Sequence, residues 1–401
     1  MHIVGIVCEY NPFHTGHAWQ IAELRRRFGD DTGIVCAMSG NYVQRGDFAV
    51  VRKHIRAEAA VYGGADLVLE LPLSWAIASA EGFARGGVEV LAGTGLVDTL
   101  AFGSECADTA LLQSVAECLL TGAFAKALRS ELKSGDSFAA ARERAAAKLL
   151  GPRAAVLRAP NDILGVEYCK ALPGSGLTPL ALPREGSAHA GEPSGPFAPG
   201  SYIRERMAEG DAMEQYLPAG MRRLMQAERD AGRAPVRIDT AERAILAKLR
   251  TVAESELARF DEGGEGLYHR LYACCRAAAG IRELLDAVKT KRYARARLRR
   301  MLLSVYLDAR PSERPEHMPY IRVLAMSEKG KSLLRRMQES ARLPVLIKPA
   351  DVRKLSPDAV RLMELEARAT DLYALAYPDL CQSGGGSEWR TSPVIVRKTR
   401  G

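Results

Sequence analysis

The sequence predicts an α/β fold, with an N-terminal parallel sheet followed by a mostly α-helical C-terminal region. Two observations carry this. Short continuous apolar runs alternate with helical patterns through the N-terminal part, as expected of βαβ units whose strands are buried on both faces. After Ser201 the pattern becomes helical almost throughout. The 401 residues suffice for two or three units with buried cores, and 47% hydrophobic with 26% charged residues is an ordinary globular composition, neither disordered nor membranous.

The run His2–Cys8 reads as the first strand, followed by a turn at Asn11-Pro12 and a helix from about Gly16 to Phe28. Gly33–Met38 is a second apolar run, and a helix is expected over Lys53–Tyr62. Leu67–Leu71, closed by Pro72, is the third run and Thr99–Phe102 the fourth. Leu111–Leu150 is helical and Ala-rich, and Leu177–Leu182 reads as a last strand. Gly186–Gly200, with four Gly and three Pro, is a loop or hinge. Helices are then expected over Ala241–Ala258, Gly266–Ala278, Ile281–Val288, Arg292–Leu307, Ser332–Ala341 and Pro357–Ala376. The expected division is a sheet domain at 1–200, a helical basic domain at 201–380 and, with Gly384-Gly385-Gly386, a flexible tail at 381–401.

The formal charge of +8 is unevenly placed. Residues 1–200 carry 18 Lys/Arg and 21 Asp/Glu, net −3, whereas residues 201–401 carry 38 and 27, net +11. A basic half suits a polyanion such as nucleic acid. Lys289, Lys291, Arg292, Arg295, Arg297, Arg299 and Arg300 stand within twelve residues with no acid among them. Interleaved Tyr293 could stack on a base, while Leu298, Met301 and Leu302 supply a buried stripe. Either a polyanion neutralises this segment, or acids elsewhere, such as Glu364–Glu366, pair with it. Arg25-Arg26-Arg27 reads instead as complementing the C-terminal dipole of the first helix.

The eight cysteines form no C-x-x-C pair, so no zinc-type site is expected, and their scatter fits a reducing, cytoplasmic compartment. The N-terminus lacks the features of a signal peptide, and no run approaches the ~18 apolar residues of a membrane span. No membrane partner is expected.

The sharpest motif follows the first strand. His14-Thr15-Gly16-His17 opens the first helix, where unsatisfied backbone N–H groups and the helix dipole favour an anion. Imidazole donors at that point could bind nucleotide phosphates and steady charge building on a pentacoordinate phosphorus. The alternative is a pair of surface histidines at a helix cap. Later, Ser201-Tyr202-Ile203-Arg204 could hold the departing phosphates, or could simply cap a helix.

The H-x-G-H pattern resembles the signature of the nucleotidyltransferase superfamily, with its Rossmann-like domain, and Ser201-Tyr202-Ile203-Arg204 has the form of that superfamily's second motif. More of the chain matches a particular family. Gly5 to His14, Ser39-Gly40-Asn41, Gln44-Arg45-Gly46, Lys53 to Ala57, Ala65 to Pro72, Phe102-Gly103-Ser104-Glu105, Pro160 to Leu164, Arg184-Glu185-Gly186 and Lys289 to Tyr293 together resemble the bacterial tRNA(Met) cytidine acetate ligases. The resemblance implies two steps. ATP and acetate give acetyl-adenylate and pyrophosphate, and the acetyl group then passes to N4 of the wobble cytidine of elongator tRNA(Met). It implies that His14 and His17 are catalytic. It places ATP against Val7, Cys8, Glu9, Tyr10, Asn11, Pro12, Phe13, His14, Thr15, Gly16, His17, Ala18, Trp19 and Gln20, with Gly103, Asn161, Arg184, Ser201 and Arg204. Mg2+ is expected with the triphosphate, without a dedicated protein cage. Lys289, Lys291, Arg292, Tyr293, Arg295 and Arg299 would bind tRNA. The chain departs from the family's second motif, since Pro199 stands where a serine is expected and Ser201 takes a threonine's place.

Alternatives stay open at several positions. Asn161 could read a base or ribose, or cap a helix, and Arg184 could hold phosphate or form a surface salt bridge. Lys53 and Arg56, one helical turn apart, could line the crevice or form a solvated face. Glu9, Asp66 or His189 could take the cytidine proton, and Gln44-Arg45-Gly46 lies near the same sheet edge with acetate or cytidine contact unassigned. Two other functions share the motifs: an adenylyltransferase acting on a small phosphorylated acceptor, and a non-catalytic tRNA-binding protein.

Overall fold

The computed structural model describes residues 1–184, 193–262 and 266–397. Its strands are β1 (Ile3–Cys8), β2 (Gly33–Ser39), the short hairpin pair β3 (Tyr42–Val43) and β4 (Asp47–Phe48), β5 (Leu67–Leu71), β6 (Thr99–Ser104), β7 (Thr178–Pro183), β8 (Ile321–Ser327), β9 (Val345–Leu346) and β10 (Val394–Val396). Across the main sheet the order is β10-β8-β5-β2-β1-β6-β7, with β9 added on β8. The five strands β5-β2-β1-β6-β7 are mutually parallel. All five expected strands are present within a residue or two of their predicted ends; β1, β2 and β5 are buried throughout and β6 nearly so, whereas β7, at the edge of the sheet, is only partly buried. Strand order reverses between β1 and β6, so a crevice opens at their C-terminal ends.

Helices cover both faces. One core holds Val7, Leu69, Leu100 and Phe102 under the helices Ala80–Gly93 and Pro160–Ala171. The other holds Val4, Ile6, Cys36 and Val68 under the helices Thr15–Phe28 and Lys53–Tyr62, with Ile203 and Met207 from Gly200–Ala208. A third core, built from Ile245, Leu249, Leu284, Leu302 and neighbours in the helical region, takes in Tyr42 and Phe48 of the hairpin. That contact fixes the helical layer to the sheet. The expected Leu111–Leu150 helix is three helices, Thr109–Leu119, Gly122–Leu132 and Phe138–Leu150, and the basic helix begins at Arg295 rather than Arg292.

The expected division at residues 200 and 380 is not the one the sheet follows. Ile321–Ser327, beyond the boundary at 200, returns as β8 and pairs antiparallel with β5. The segment expected to be a flexible tail supplies, through residue 397, a short helix Ser387–Arg390 and β10, which pairs with β8. The physical reason is a buried ionic cluster. Lys53 Nζ lies 2.5 Å from both Glu70 Oε1 and Glu388 Oε1, and Arg322 bridges Glu70 and Glu388. Glu366 accepts from the Leu73 backbone N–H, and Thr370 Oγ1 donates to Glu388 Oε2 at 2.7 Å. A buried charge must be paired, so Glu388 holds the C-terminal segment in place. Burial and the Glu70 charge push the Glu366 pKa up to about 8. Glu388 is pulled below the usual carboxylate range, since Arg322 and Lys53 more than offset its burial. The Lys53 and Arg322 cations are thus each paired with both Glu70 and Glu388.

Lys53 and Arg56 thus neither line the crevice nor form a solvated face. Both are fully buried. Arg56 donates to the carbonyls of Val51, Glu9, Ser39 and Gly40, satisfying backbone acceptors where β1 and β2 end. Asp66 is also structural, accepting from the Ile34 N–H, from Arg25 and from Ser327. It does not border the crevice, so it is unsuited to take the cytidine proton. The three arginines ending the first helix pair with acids: Arg25 with Asp66, and Arg26 and Arg27 with Glu23. The eight cysteines are all free thiols. Among the described residues, no single helix is long and apolar enough to cross a membrane.

Candidate active site

A cavity of about 540 Å3 opens where β1, β6 and β7 end. Leaving β1, the chain turns sharply at Tyr10, whose φ of 47° is left-handed, and enters the first helix at His14. His14 caps that helix. Its Nδ1 accepts from Gly16 N at 3.1 Å, and His17 Nδ1 accepts from His14 N at 3.2 Å. A backbone N–H can only donate, so both Nδ1 atoms are unprotonated and each neutral ring carries its proton on Nε2. The rings stack at 3.7 Å and both line the cavity. Burial, with the Arg184 and Arg204 charges, lowers the His14 pKa to about 3; burial and its neighbours lower that of His17 as well. Two neutral N–H donors with a preset tautomer therefore sit at a helix N-terminus.

The second motif completes this end of the cavity. Ser201 lies in the first turn of the helix Gly200–Ala208, whose N-terminus borders the same space, and Pro199 precedes it as the N-cap. Arg204 Nη1 donates to the Asn11 carbonyl at 2.7 Å, locking the two motifs together. Asn11 is 5% exposed; its Oδ1 accepts from Val50 N, while its Nδ2 is buried without a partner among the described residues. An unpartnered buried donor in this cavity suits an anionic oxygen.

The opposite end is built by a reciprocal clasp. Glu105 accepts from the backbone N–H groups of Asn161 and Asp162, and from Asn161 Nδ2 at 2.5 Å. Asp162 in turn accepts from Ser104 Oγ and from the N–H groups of Glu105 and Cys106. Asn161 is therefore not the helix cap; it is held at the cavity wall, and its Oδ1 accepts no hydrogen bond from any described residue. Gly103 lies beside it, and a Cβ there would stand 3.1 Å from Arg184 Cγ, so a side chain would crowd the arginine.

Among the expected contact residues, Val7, Cys8, Glu9, Tyr10, Asn11, His14, Gly16, His17, Trp19, Gln20, Gly103, Asn161, Arg184, Ser201 and Arg204 all line the cavity. Pro12, Phe13, Thr15 and Ala18 do not. Phe13 is fully buried against Tyr10, Thr15 Oγ1 donates to the Pro196 carbonyl, and Ala18 packs on the core beneath the first helix. Helical periodicity turns Thr15 and Ala18 away from the crevice, whereas Phe13 is drawn into the core ahead of the helix. Of the candidate proton acceptors Glu9 borders the cavity, with Oε1 accepting from Gln44 N at 2.7 Å, and His189 lies outside the described residues. Sequence reasoning missed Ala80 and Phe83, which read as ordinary core positions of a helix, and the grip of Glu105 on Asn161.

Much of the basic segment is paired. Arg295 pairs with Asp286, Arg297 with Asp261 and Arg299 with Asp47, so acids do neutralise part of it, though not Glu364–Glu366. Lys289 Nζ donates to the carbonyls of Thr290 and Tyr293. The Tyr293 ring is buried under Arg297, which excludes the expected stacking on a base. Lys291 and Arg292 are exposed. Among the described residues, no group of three His, Cys, Asp or Glu side chains is placed to hold a metal ion.

A parallel sheet with a capped H-x-G-H turn at its switch point defines a nucleotidyl transferase of the HIGH class, and the chain matches the HIGH Nucleotidyl Transferase family over residues 1–388. It is 33% identical to the tRNA(Met) cytidine acetate ligase of Acetivibrio thermocellus, over 99% of this chain and 100% of that one. It is 36% identical to the ligase of the same name from Thermoanaerobacter sp., over 96% and 98%. Its structure superposes with a TM-score of 0.91 on Thermotoga maritima TmcAL bound with alpha-thio ATP, at 32% identity over 99% of this chain and 100% of that one. The chain belongs to the tRNA(Met) cytidine acetate ligase family.

Proposed function

We propose that this protein is an ATP-dependent ligase that activates acetate as acetyl-adenylate and acetylates N4 of the wobble cytidine in elongator tRNA(Met). The observation that carries the reading is the His14–His17 pair, two Nε2–H donors at a helix N-terminus facing a nucleotide-sized cavity. The triphosphate would lie between the two helix N-termini, against His14, His17, Asn11 Nδ2, Ser201 and Arg204. The nucleoside would reach toward Gly103 and Asn161, with Arg184 between. An acetate oxygen attacks the α-phosphorus, and the bond to the bridging oxygen breaks as pyrophosphate leaves with the electron pair. Acetate is already an anion, so this step needs charge shielding and orientation rather than a base. The cytidine N4 then attacks the acetyl carbon, AMP leaves, and the amine gives up a proton. Glu9, which borders the cavity, would receive it. Mg2+ would be held chiefly by the phosphates, since Glu9 and Glu105 are already engaged by backbone donors. The exposed Lys291 and Arg292, with Lys289 and the outer charge of Arg295 and Arg299, would meet the tRNA backbone.

The test is an incubation of purified protein with labelled acetate, ATP and total tRNA. The expected result is acetate-dependent pyrophosphate release, with label entering tRNA(Met) as N4-acetylcytidine. AMP on a small acceptor, or tRNA binding with no ATP turnover, would overturn the reading.

A further inference from the structure

We propose that Arg45 binds the carboxylate of acetate, with Ala80 and Phe83 forming the wall against its methyl group; this rests on the acetate-ligase reading above. Three arginines line the cavity: Arg45, Arg184 and Arg204. Arg204 is committed to the Asn11 carbonyl, and Arg184 also has a partner. Arg45 is exposed and, of the three, alone has no polar partner among the described residues. Its positive charge acts on both of the others, so the three guanidiniums converge on one space. Three guanidiniums face one cavity against the single carboxylate Glu9, which already accepts from Gln44 N, and the positive excess suits an anion.

The backbone around Arg45 is rigidly placed. Tyr42 pairs with Phe48 and Val43 with Asp47, and the turn closes through Gly46 N donating to the Val43 carbonyl. Gly46 has φ 74°, and a Cβ there would lie 2.5 Å from Arg300 N, so the turn presses directly on the basic helix. Gln44 is fixed on three sides: its N–H donates to Glu9, its Nε2 to the Ala78 carbonyl, and its carbonyl accepts from Arg300. Such bracing at the apex of a two-residue-strand hairpin fixes the backbone that carries Arg45 at the edge of the cavity.

The position favours a second anion over the triphosphate. Phosphate-binding features cluster at the two helix N-termini, where His14, His17, Ser201 and Arg204 stand. The hairpin lies on the other side of Glu9, next to the start of the helix Ala80–Gly93, as the Gln44–Ala78 hydrogen bond shows. There the cavity wall is apolar and small, with Ala80 and the buried Phe83 ring. A carboxylate with a single methyl group matches a guanidinium beside that wall. The first step also requires that carboxylate to approach a phosphate of like charge, which an unpartnered arginine at the approach offsets.

The experiment uses the full chain and measures acetate-dependent exchange of pyrophosphate into ATP, with KM for acetate and ATP, and KM for tRNA in the complete reaction. Arg45→Gln should raise the acetate KM by about 10- to 100-fold, the size expected for losing a charge-assisted hydrogen bond. KM for ATP and tRNA, and the melting temperature, should stay at wild-type values. Arg45→Lys should recover part of the acetate affinity. An unchanged acetate KM overturns the proposal. So does a rise confined to the ATP KM, which makes Arg45 a phosphate ligand, or one confined to the tRNA KM, which makes it an RNA contact. Absence of acetate-dependent exchange in the wild type would instead refute the acetate-ligase reading itself.

Discussion

His14 serves two purposes that a single alanine substitution confounds. Its Nδ1 caps the first helix and its Nε2–H faces the cavity. His14→Ala removes both, at a cost of about 1 kcal/mol for the cap and about 100- to 1,000-fold in adenylate formation. His14→Asn restores a capping side chain without the distal N–H. It should return the melting temperature toward wild type while acetate-dependent pyrophosphate exchange stays low; recovered exchange would show that the cap alone mattered. The pH behaviour follows from the same burial. With its pKa lowered to about 3 in the fold, His14 takes up a proton in the unfolded chain before it does so in the folded one. Stability linked to it is complete above about pH 6.5 and declines as pH falls toward 3. In the ATP-free protein, an NMR titration of the His14 ring should show no midpoint between pH 5 and 8.

At the scale of elements, the hairpin of β3 and β4 joins two surfaces that lie far apart in sequence. Its inner residues, Tyr42 and Phe48, pack with the helical region against Tyr373. Its apex borders the cavity, and Asp47 holds Arg299 of the basic helix at 3.0 Å. The basic helix is thereby held against the same hairpin that borders the cavity. Exposed positions, not the whole run, should carry the tRNA contact. Lys291→Ala with Arg292→Ala should weaken tRNA binding and reduce the slope of log affinity against log salt by about 1 to 2, leaving acetate-dependent exchange intact. Tyr293→Ala should act differently, lowering stability by roughly 3 kcal/mol in a denaturant titration because it empties a buried site.

On the scale of the whole molecule, the buried ionic cluster ties together five segments: the Lys53–Tyr62 helix, β5, β8, the Pro357–Ala374 helix and the Ser387–Arg390 helix. Removing one charge should cost far more than its surface equivalents. Glu388→Gln leaves Lys53 and Arg322 sharing Glu70, and should destabilise by about 3–5 kcal/mol at pH 7. Glu366→Gln should cost little, because the side chain is neutral at that pH and its oxygen still accepts from Leu73 N. The Glu366 pKa is raised to about 8 in the fold, so its contribution is present at low pH and lost as pH rises from about 4.5 through 8. Melting curves of Glu366→Gln should accordingly show a flatter decline over that interval than wild type.

The local sequence determined what depends on local pattern. β1, β2, β5 and β6 were legible because a strand buried on both faces is a mainly apolar run, the partly buried edge strand β7 was legible from its short apolar stretch, and His14-Thr15-Gly16-His17 was legible because a helix cap and an anion site need the same short turn. The sharpest of the expected site residues came from motifs at strand ends and do line one cavity. Tertiary structure alone decided the rest. β8 was hidden because Arg322 interrupts its apolar run, and Arg322 is buried only because Glu70 and Glu388 meet it from segments 252 and 66 residues away. Lys53 and Arg56 carry the pattern of a charged helix face, yet acids and carbonyls from distant strands make them core. Tyr293, seated among arginines, reads as an RNA contact until packing buries it. A charge or an aromatic ring on a helix is read from its neighbours in sequence, but whether it meets solvent is set by groups that only the fold brings near.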